Sequence, residues 1–98
     1  MKIKQQLNQI IQQAFDNANI DEKPISVTEA TKAEFGDYQF NGAMALAKKL
    51  KSNPREIAQK IIDAMPQDTM IAKTQIAGPG FINIWLDDSV LSQSLQQA

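Results

Sequence analysis

The tripeptide Gly78-Pro79-Gly80 constrains this chain more than any other feature, because it stands between two stretches that both read as β-structure. Glycine and proline together make a tight turn. Phe81 to Leu86 carries the strongest strand signal in the sequence, and Met70 to Ala77 also reads as strand, so the two predict a hairpin. Side chains alternate along a strand, which places Ile82, Ile84 and Leu86 on one face and Phe81, Asn83 and Trp85 on the other. The first set has the character of core. On the earlier strand Met70, Ala72, Thr74 and Ile76 share one side and Ile71, Lys73 and Gln75 the other; both sides are mixed, so its core face stays open.

The hairpin's apolar face needs a cover, and the rest of the chain offers helices. From Lys2 to Asn19, Ile3, Leu7, Ile10, Ile11, Ala14, Phe15 and Ala18 recur at helical spacing. Breaker residues follow from Asn19 to Pro24, after which Ile25, Val27 and Glu29 alternate with Ser26, Thr28 and Ala30 as in a short strand. Gly36-Asp37 is turn-like, and Asp37 to Phe40 forms a second strand paired with the first. Asn41 to Lys51 is rich in Ala, Met, Leu and Lys, which favours a helix beginning near Asn41. At Ser52-Asn53-Pro54 the chain breaks and restarts: Asn53 is the N-cap, Pro54 the first helical residue, and Glu56 the partner of a capping box. That helix runs to Met65, with Ile57, Ala58, Ile61, Ile62 and Met65 inward and Pro66 as its stop. Asp87, Asp88 and Ser89 offer caps for a last helix through Val90, Leu91 and Leu95. The order α-β-β-α-α-β-β-α, with no internal repeat, predicts one α+β domain over residues 1–98: a two-layer fold whose four-stranded, largely antiparallel sheet carries helices packed on it.

Composition narrows the chemistry. The chain has 98 residues with no cysteine and no histidine, which excludes disulfides, Cys or His zinc sites, thiol nucleophiles and imidazole bases. No catalytic and no metal-ligating residues are assigned. Ten basic against eleven acidic side chains give a formal charge of −1, so any contact with nucleic acid has to be local rather than a general basic footprint. No apolar stretch approaches the roughly 20 residues needed to cross a bilayer, and the first ten residues lack the apolar core of an export signal; neither a membrane partner nor export is expected.

One constellation has the chemistry to bind. Phe81, Asn83 and Trp85 form an aromatic–amide–aromatic stripe beside two glycines, a set that can hold an unstacked base: a ring stacks on its π-face while the amide meets its edge. Stacking contributes roughly 1–3 kcal/mol per base and needs no large positive field. The plainer alternative is a strand sandwiched between layers, with Trp85 packed beneath a helix. Gly78-Pro79-Gly80 is not a phosphate loop, because strand rather than helix follows it. Two other candidates have structural readings that outweigh the functional ones. Glu34 and Asp37, a conceivable carboxylate pair for a small hydrolase, have no cation or oxyanion partner nearby and suit turn capping. Lys48, Lys49 and Lys51, with Arg55 close by, could meet phosphates but also complement the end of a helix.

The segments FGDYQFNGAMALAKKLKSNPREIAQKI and IAGPGFINIWL, in this order and separation, resemble the N-terminal additional domain of bacterial arginyl-tRNA synthetase across essentially the whole chain. The resemblance implies a four-stranded sheet with helices on one side and a domain that contacts the D-loop of tRNA-Arg. By that resemblance Phe81 and Asn83 are the tRNA-contacting aromatic and amide, with Gly80 and Gly78 supplying close backbone approach. It further implies a fragment of an arginine–tRNA ligase, a class I aminoacyl-tRNA synthetase of the cytoplasm, inactive alone. The other partner is then the catalytic domain of the same full-length chain, which FGDYQ would face; ATP and Mg are expected in that enzyme and no cofactor in this fragment. The alternative is a non-catalytic protein-interaction or structural domain that uses the Phe81/Trp85 strand face.

Overall fold

The computed structural model describes residues 3–67 and 70–90. Helix α1, Ile3–Asn17, buries Ile3, Leu7, Ile10, Ile11, Ala14 and Phe15, the stripe that the helical spacing predicts. Its end is a Schellman turn in which Asn19 takes φ 59°, Ile20 N–H reaches Phe15 C=O at 2.9 Å and Asn19 N–H reaches Asp16 C=O at 3.2 Å. Strand β1 is only Thr28–Glu29, shorter than the alternation from Ile25 to Ala30 suggests. The reason is a tertiary contact: Asn8 of α1 accepts the Val27 N–H at 2.8 Å, and its Nδ2 donates to Ser26 Oγ at 3.0 Å, so a helix side chain takes the place of a ladder. Ala33–Phe35 forms a 3₁₀ turn, and β2 follows as Tyr38–Phe40.

Helix α2, Gly42–Leu50, ends with Lys51 at φ 54° in a second Schellman turn, with Ser52 N–H on Ala47 C=O and Lys51 N–H on Lys48 C=O. Helix α3, Pro54–Ala64, starts as the sequence indicates: Asn53 Oδ1 accepts the Arg55 N–H at 2.8 Å and Pro54 occupies the first turn. Strands β3, Ile71–Ala77, and β4, Phe81–Leu86, form the hairpin around the glycine turn. A bulge between Ile71 and Lys73 corrects the simple alternation of β3, because Ile71 pairs with core-facing Leu86 while Lys73 pairs with Trp85. Asp88–Val90 begins a helical turn after Asp87, whose carboxylate accepts from Ser89 N–H at 3.0 Å; Leu91 and Leu95 lie outside the described residues.

The sheet order is β1-β2-β4-β3 with every named pair antiparallel, which agrees with the α+β two-layer expectation. Ile82 and Ile84 at 0% exposure and Leu86 at 5% join the helical stripes in one hydrophobic core. Phe15 of α1 meets Phe40 of β2 edge-on, ring centroids 6.0 Å apart, which ties the first helix to the sheet. The helices therefore occupy the face of β4 that carries these three residues, and Phe81, Asn83 and Trp85 belong to the opposite face.

Candidate nucleic-acid interface

Register assembles that opposite face from all four strands. Gln39 stands opposite Asn83, Gln75 opposite Asn83 from the other side, and Thr28 opposite Gln39. Partners directly across an antiparallel ladder project to the same side. A row of hydrogen-bonding side chains, Thr28, Gln39, Asn83 and Gln75, thus crosses the sheet, with Phe81 on one flank of Asn83 and Trp85 on the other.

Asn83 is 2% exposed and the one buried polar residue among the described residues. An amide at that depth requires hydrogen bonds, and Gln39 supplies one: its Nε2 donates to Asn83 Oδ1 at 2.8 Å. Asn83 Nδ2 donates to no group among the described residues. The amide is anchored by its oxygen, and its donor side is uncommitted.

Phe81, half-buried, starts β4 directly after the turn. Gly78 has φ 54°, the left-handed region, and a β-carbon there would sit 3.3 Å from the Phe81 ring. Gly80 has φ 143°, and a β-carbon on it would stand 2.9 Å from Pro54 Cβ and 3.1 Å from the Pro54 carbonyl group. The close approach that Gly80 permits is therefore made by α3 of the same chain, whereas Gly78 is exposed. Arg55, the residue after Pro54, donates from Nη1 to the Gly78 carbonyl and fastens the turn from the same helix end. The turn that precedes Phe81 is held by the packing of Gly80 on Pro54 and by a charged donor on Gly78.

Trp85 does not lie under a helix. It is half-buried on the face it shares with Asn83, and Lys73 places its ammonium 4.4 Å from the ring centroid, a cation–π contact. A β-carbon on Gly36 would be 3.0 Å from Trp85 Cδ2, so backbone abuts the ring as well. With those neighbours on Trp85, Phe81 is the aromatic left at the turn end of the face.

Of the two candidate carboxylates, Asp37 serves the sheet. Asp37 Oδ2 accepts the Leu86 N–H at 2.8 Å and Asp37 N–H reaches Ile84 C=O at 2.8 Å, so this residue holds the end of β4, while Glu34 is exposed on the 3₁₀ turn. Burial, with Glu29 and Asp37 nearby, raises the Tyr38 phenol above its ordinary value. The Ser89 hydroxyl and N–H lower the Asp87 carboxyl below its own. Among the lysines of the α2 end, Lys49 pairs with Glu22 at 2.8 Å, a surface contact of about 0–1 kcal/mol. Among the described residues no group of three or more His, Cys, Asp or Glu is placed to hold a metal, and no helix is long and apolar enough to cross a membrane.

Sequence reasoning singled out Phe81, Asn83, Gly78 and Gly80 but missed Gln39, Arg55 and Pro54 as their supports. For Gln39 a signal was present, since Tyr38, Gln39 and Phe40 alternate and only Gln39 is polar enough to share a face with Asn83. For Pro54 and Arg55 no local signal existed, because their contacts cross more than 20 positions.

Comparison with known proteins decides the family. Residues 1–86 match the model for the arginyl tRNA synthetase N terminal domain. The chain belongs to that domain family. It is 46% identical, over its whole length, to the arginine–tRNA ligase of Photobacterium profundum and 58% identical over 74% of its length to that of Pseudoalteromonas translucida. Among solved structures it is similar to arginyl-tRNA synthetase of Plasmodium falciparum, with TM-score 0.81, 29% identity and 95% of this chain covered. It is also similar to the Thermus thermophilus enzyme, with TM-score 0.76, 26% identity and 93% covered. The chain spans 17% of the Photobacterium and Plasmodium proteins, 15% of the Thermus protein and 13% of the Pseudoalteromonas one. Membership in this family accounts for the resemblance carried by FGDYQ, the lysine-rich helix and GPGFIN.

Proposed function

We propose that this chain is the tRNA-contacting N-terminal domain of an arginine–tRNA ligase and that Phe81 and Asn83 receive a base unstacked from the D-loop of tRNA-Arg. The observation that carries the reading is the pairing of a half-exposed ring with a buried amide whose donor has no partner among the described residues, two positions apart on the face opposite the helices. Phe81 stacks on the base, and Asn83 meets its edge. Gly78 and Gly80 contribute through the turn that aims Phe81, with Gly80 locked against Pro54. Neither residue does chemistry; they add affinity and orientation to an ATP- and Mg-dependent ligation carried out elsewhere in a full-length cytoplasmic enzyme.

Titrating a tRNA-Arg transcript into the chain, with Phe81→Ala and Asn83→Ala beside the parent, tests this. Both variants should bind about fivefold or more weakly, in line with the 1–3 kcal/mol of one stacked base. Unchanged affinity in both sinks the assignment. The alternative, a protein-docking face, predicts instead self-association of the parent chain that Phe81→Asp abolishes and tRNA leaves untouched.

A further inference from the structure

We infer that Gln39 sets which edge of the Asn83 amide meets a ligand, so that the site selects its base through an acceptor atom; the inference rests on the reading of Phe81 and Asn83 as the base-contacting pair. An asparagine amide offers a carbonyl acceptor on one side and two N–H donors on the other, and when exposed it turns to present either. Asn83 is not exposed. It lies on a central strand at 2% exposure, with its Oδ1 engaged by Gln39 Nε2 at 2.8 Å from directly across the β2–β4 ladder.

What remains is Nδ2, a donor with no hydrogen bond among the described residues and not one of their buried unsatisfied atoms, so a ligand acceptor can meet it. A ligand acceptor there completes the hydrogen bonding of the amide. A base stacked on Phe81 lies about 6.6 Å along the strand from Asn83, within reach of its ring edge. The complementary groups are a ring nitrogen or a carbonyl oxygen; an exocyclic amino group would bring donor against donor. Gln75, opposite Asn83 on β3, makes no bond to it, so the polarity of the amide is set from β2 alone. Gln39 is thus a positioning residue that acts through Asn83.

Replacing Gln39 by glutamate tests the polarity directly. A carboxylate of nearly the same shape only accepts, so in Gln39→Glu the Asn83 amide turns its Nδ2 to position 39 and presents Oδ1 to the ligand. The probe is a panel of tRNA-Arg transcripts in which each D-loop nucleotide in turn carries each of the four bases. These are titrated against the parent chain, Gln39→Glu, Gln39→Met and Asn83→Ala, each checked for cooperative thermal unfolding. The parent should discriminate among bases at one D-loop position by about fivefold or more. Gln39→Glu should change the rank order at that position, and Gln39→Met should flatten it. The added negative charge weakens all four bases alike, so rank order isolates the amide; if Gln39→Glu fails to fold, the flattening in Gln39→Met decides. An unaltered rank order and spread in the folded Gln39 variants overturns the inference while a loss in Asn83→Ala keeps the base-contact reading. Absence of any discriminating D-loop position in the parent, with Asn83→Ala binding as well, overturns both.

Discussion

Substituting Gly80 by alanine separates a turn that is shaped by its own fold from one shaped for a partner. At φ 143° an L-residue is confined to a backbone region that costs about 1–3 kcal/mol. Its new β-carbon also meets Pro54 Cβ at 2.9 Å and the Pro54 carbonyl carbon and oxygen at 3.1 Å. Pro54 is a ring at the first turn of α3 and cannot swing aside, so overpacking adds about 1–3 kcal/mol. Gly80→Ala should therefore lose about 2–6 kcal/mol, out of the 5–15 kcal/mol that a domain of this size commands. Gly78→Ala is the internal control: its φ of 54° costs about 1–2 kcal/mol and its β-carbon meets only the edge of a Phe81 ring that can rotate. Thermal unfolding by far-UV circular dichroism reads both, at about 4–8 °C per kcal/mol. A Gly80→Ala shift of less than about 4 °C, or one smaller than that of Gly78→Ala, would refute the claim that α3 clamps the turn.

Three further outcomes follow from side chains elsewhere. Tyr38 is the only tyrosine in the chain, so absorbance at 295 nm reports it alone; burial first, then Glu29 and Asp37, should place its midpoint above the ordinary 10.0. Because the raised value favours the neutral phenol in the folded state, that stabilisation is intact below the unfolded value and is lost as pH rises through the folded one; a midpoint at or below 10.0 contradicts the burial described. Lys51→Gly removes a side chain from φ 54° and should stabilise the domain by up to about 1 kcal/mol in urea unfolding, whereas a loss would show that the lysine side chain contributes more than its backbone strain costs. Among the described residues, Arg55 and Lys73 are the cations whose contacts place them at the candidate face, so log affinity for tRNA-Arg should fall with log salt at a slope no steeper than about −1.4; a slope beyond about −3 would mean that a basic surface, not the ring and amide, dominates.

How far the sequence revealed this molecule depended on the range of the interaction. Periodicity and caps are local, so α1, the Asn53-Pro54 start of α3 and the glycine hairpin were legible, as was the helix-facing side of β4. The strand from Ile25 to Ala30 shrank to two residues because Asn8, far away on α1, captures Val27. Ile71 changed faces because a bulge interrupts the period of two that the alternation assumes. The site divides along the same line. Phe81 and Asn83 stood out by alternation and by resemblance, while Gln39, Pro54 and Arg55 became visible only once register and tertiary contact put them beside those residues. Gly80 shows the limit most clearly, since the same small residue admits a ligand or a neighbouring helix, and here the helix occupies the space.

The central claim is that a base from the tRNA D-loop stacks on Phe81, and a double-mutant cycle tests it most directly. One arm is Phe81→Ala; the other is a set of tRNA-Arg transcripts with a single abasic nucleotide at each D-loop position in turn. At one position the two losses should fail to add, with a coupling of about 1–3 kcal/mol. Strict additivity at every D-loop position would contradict the account.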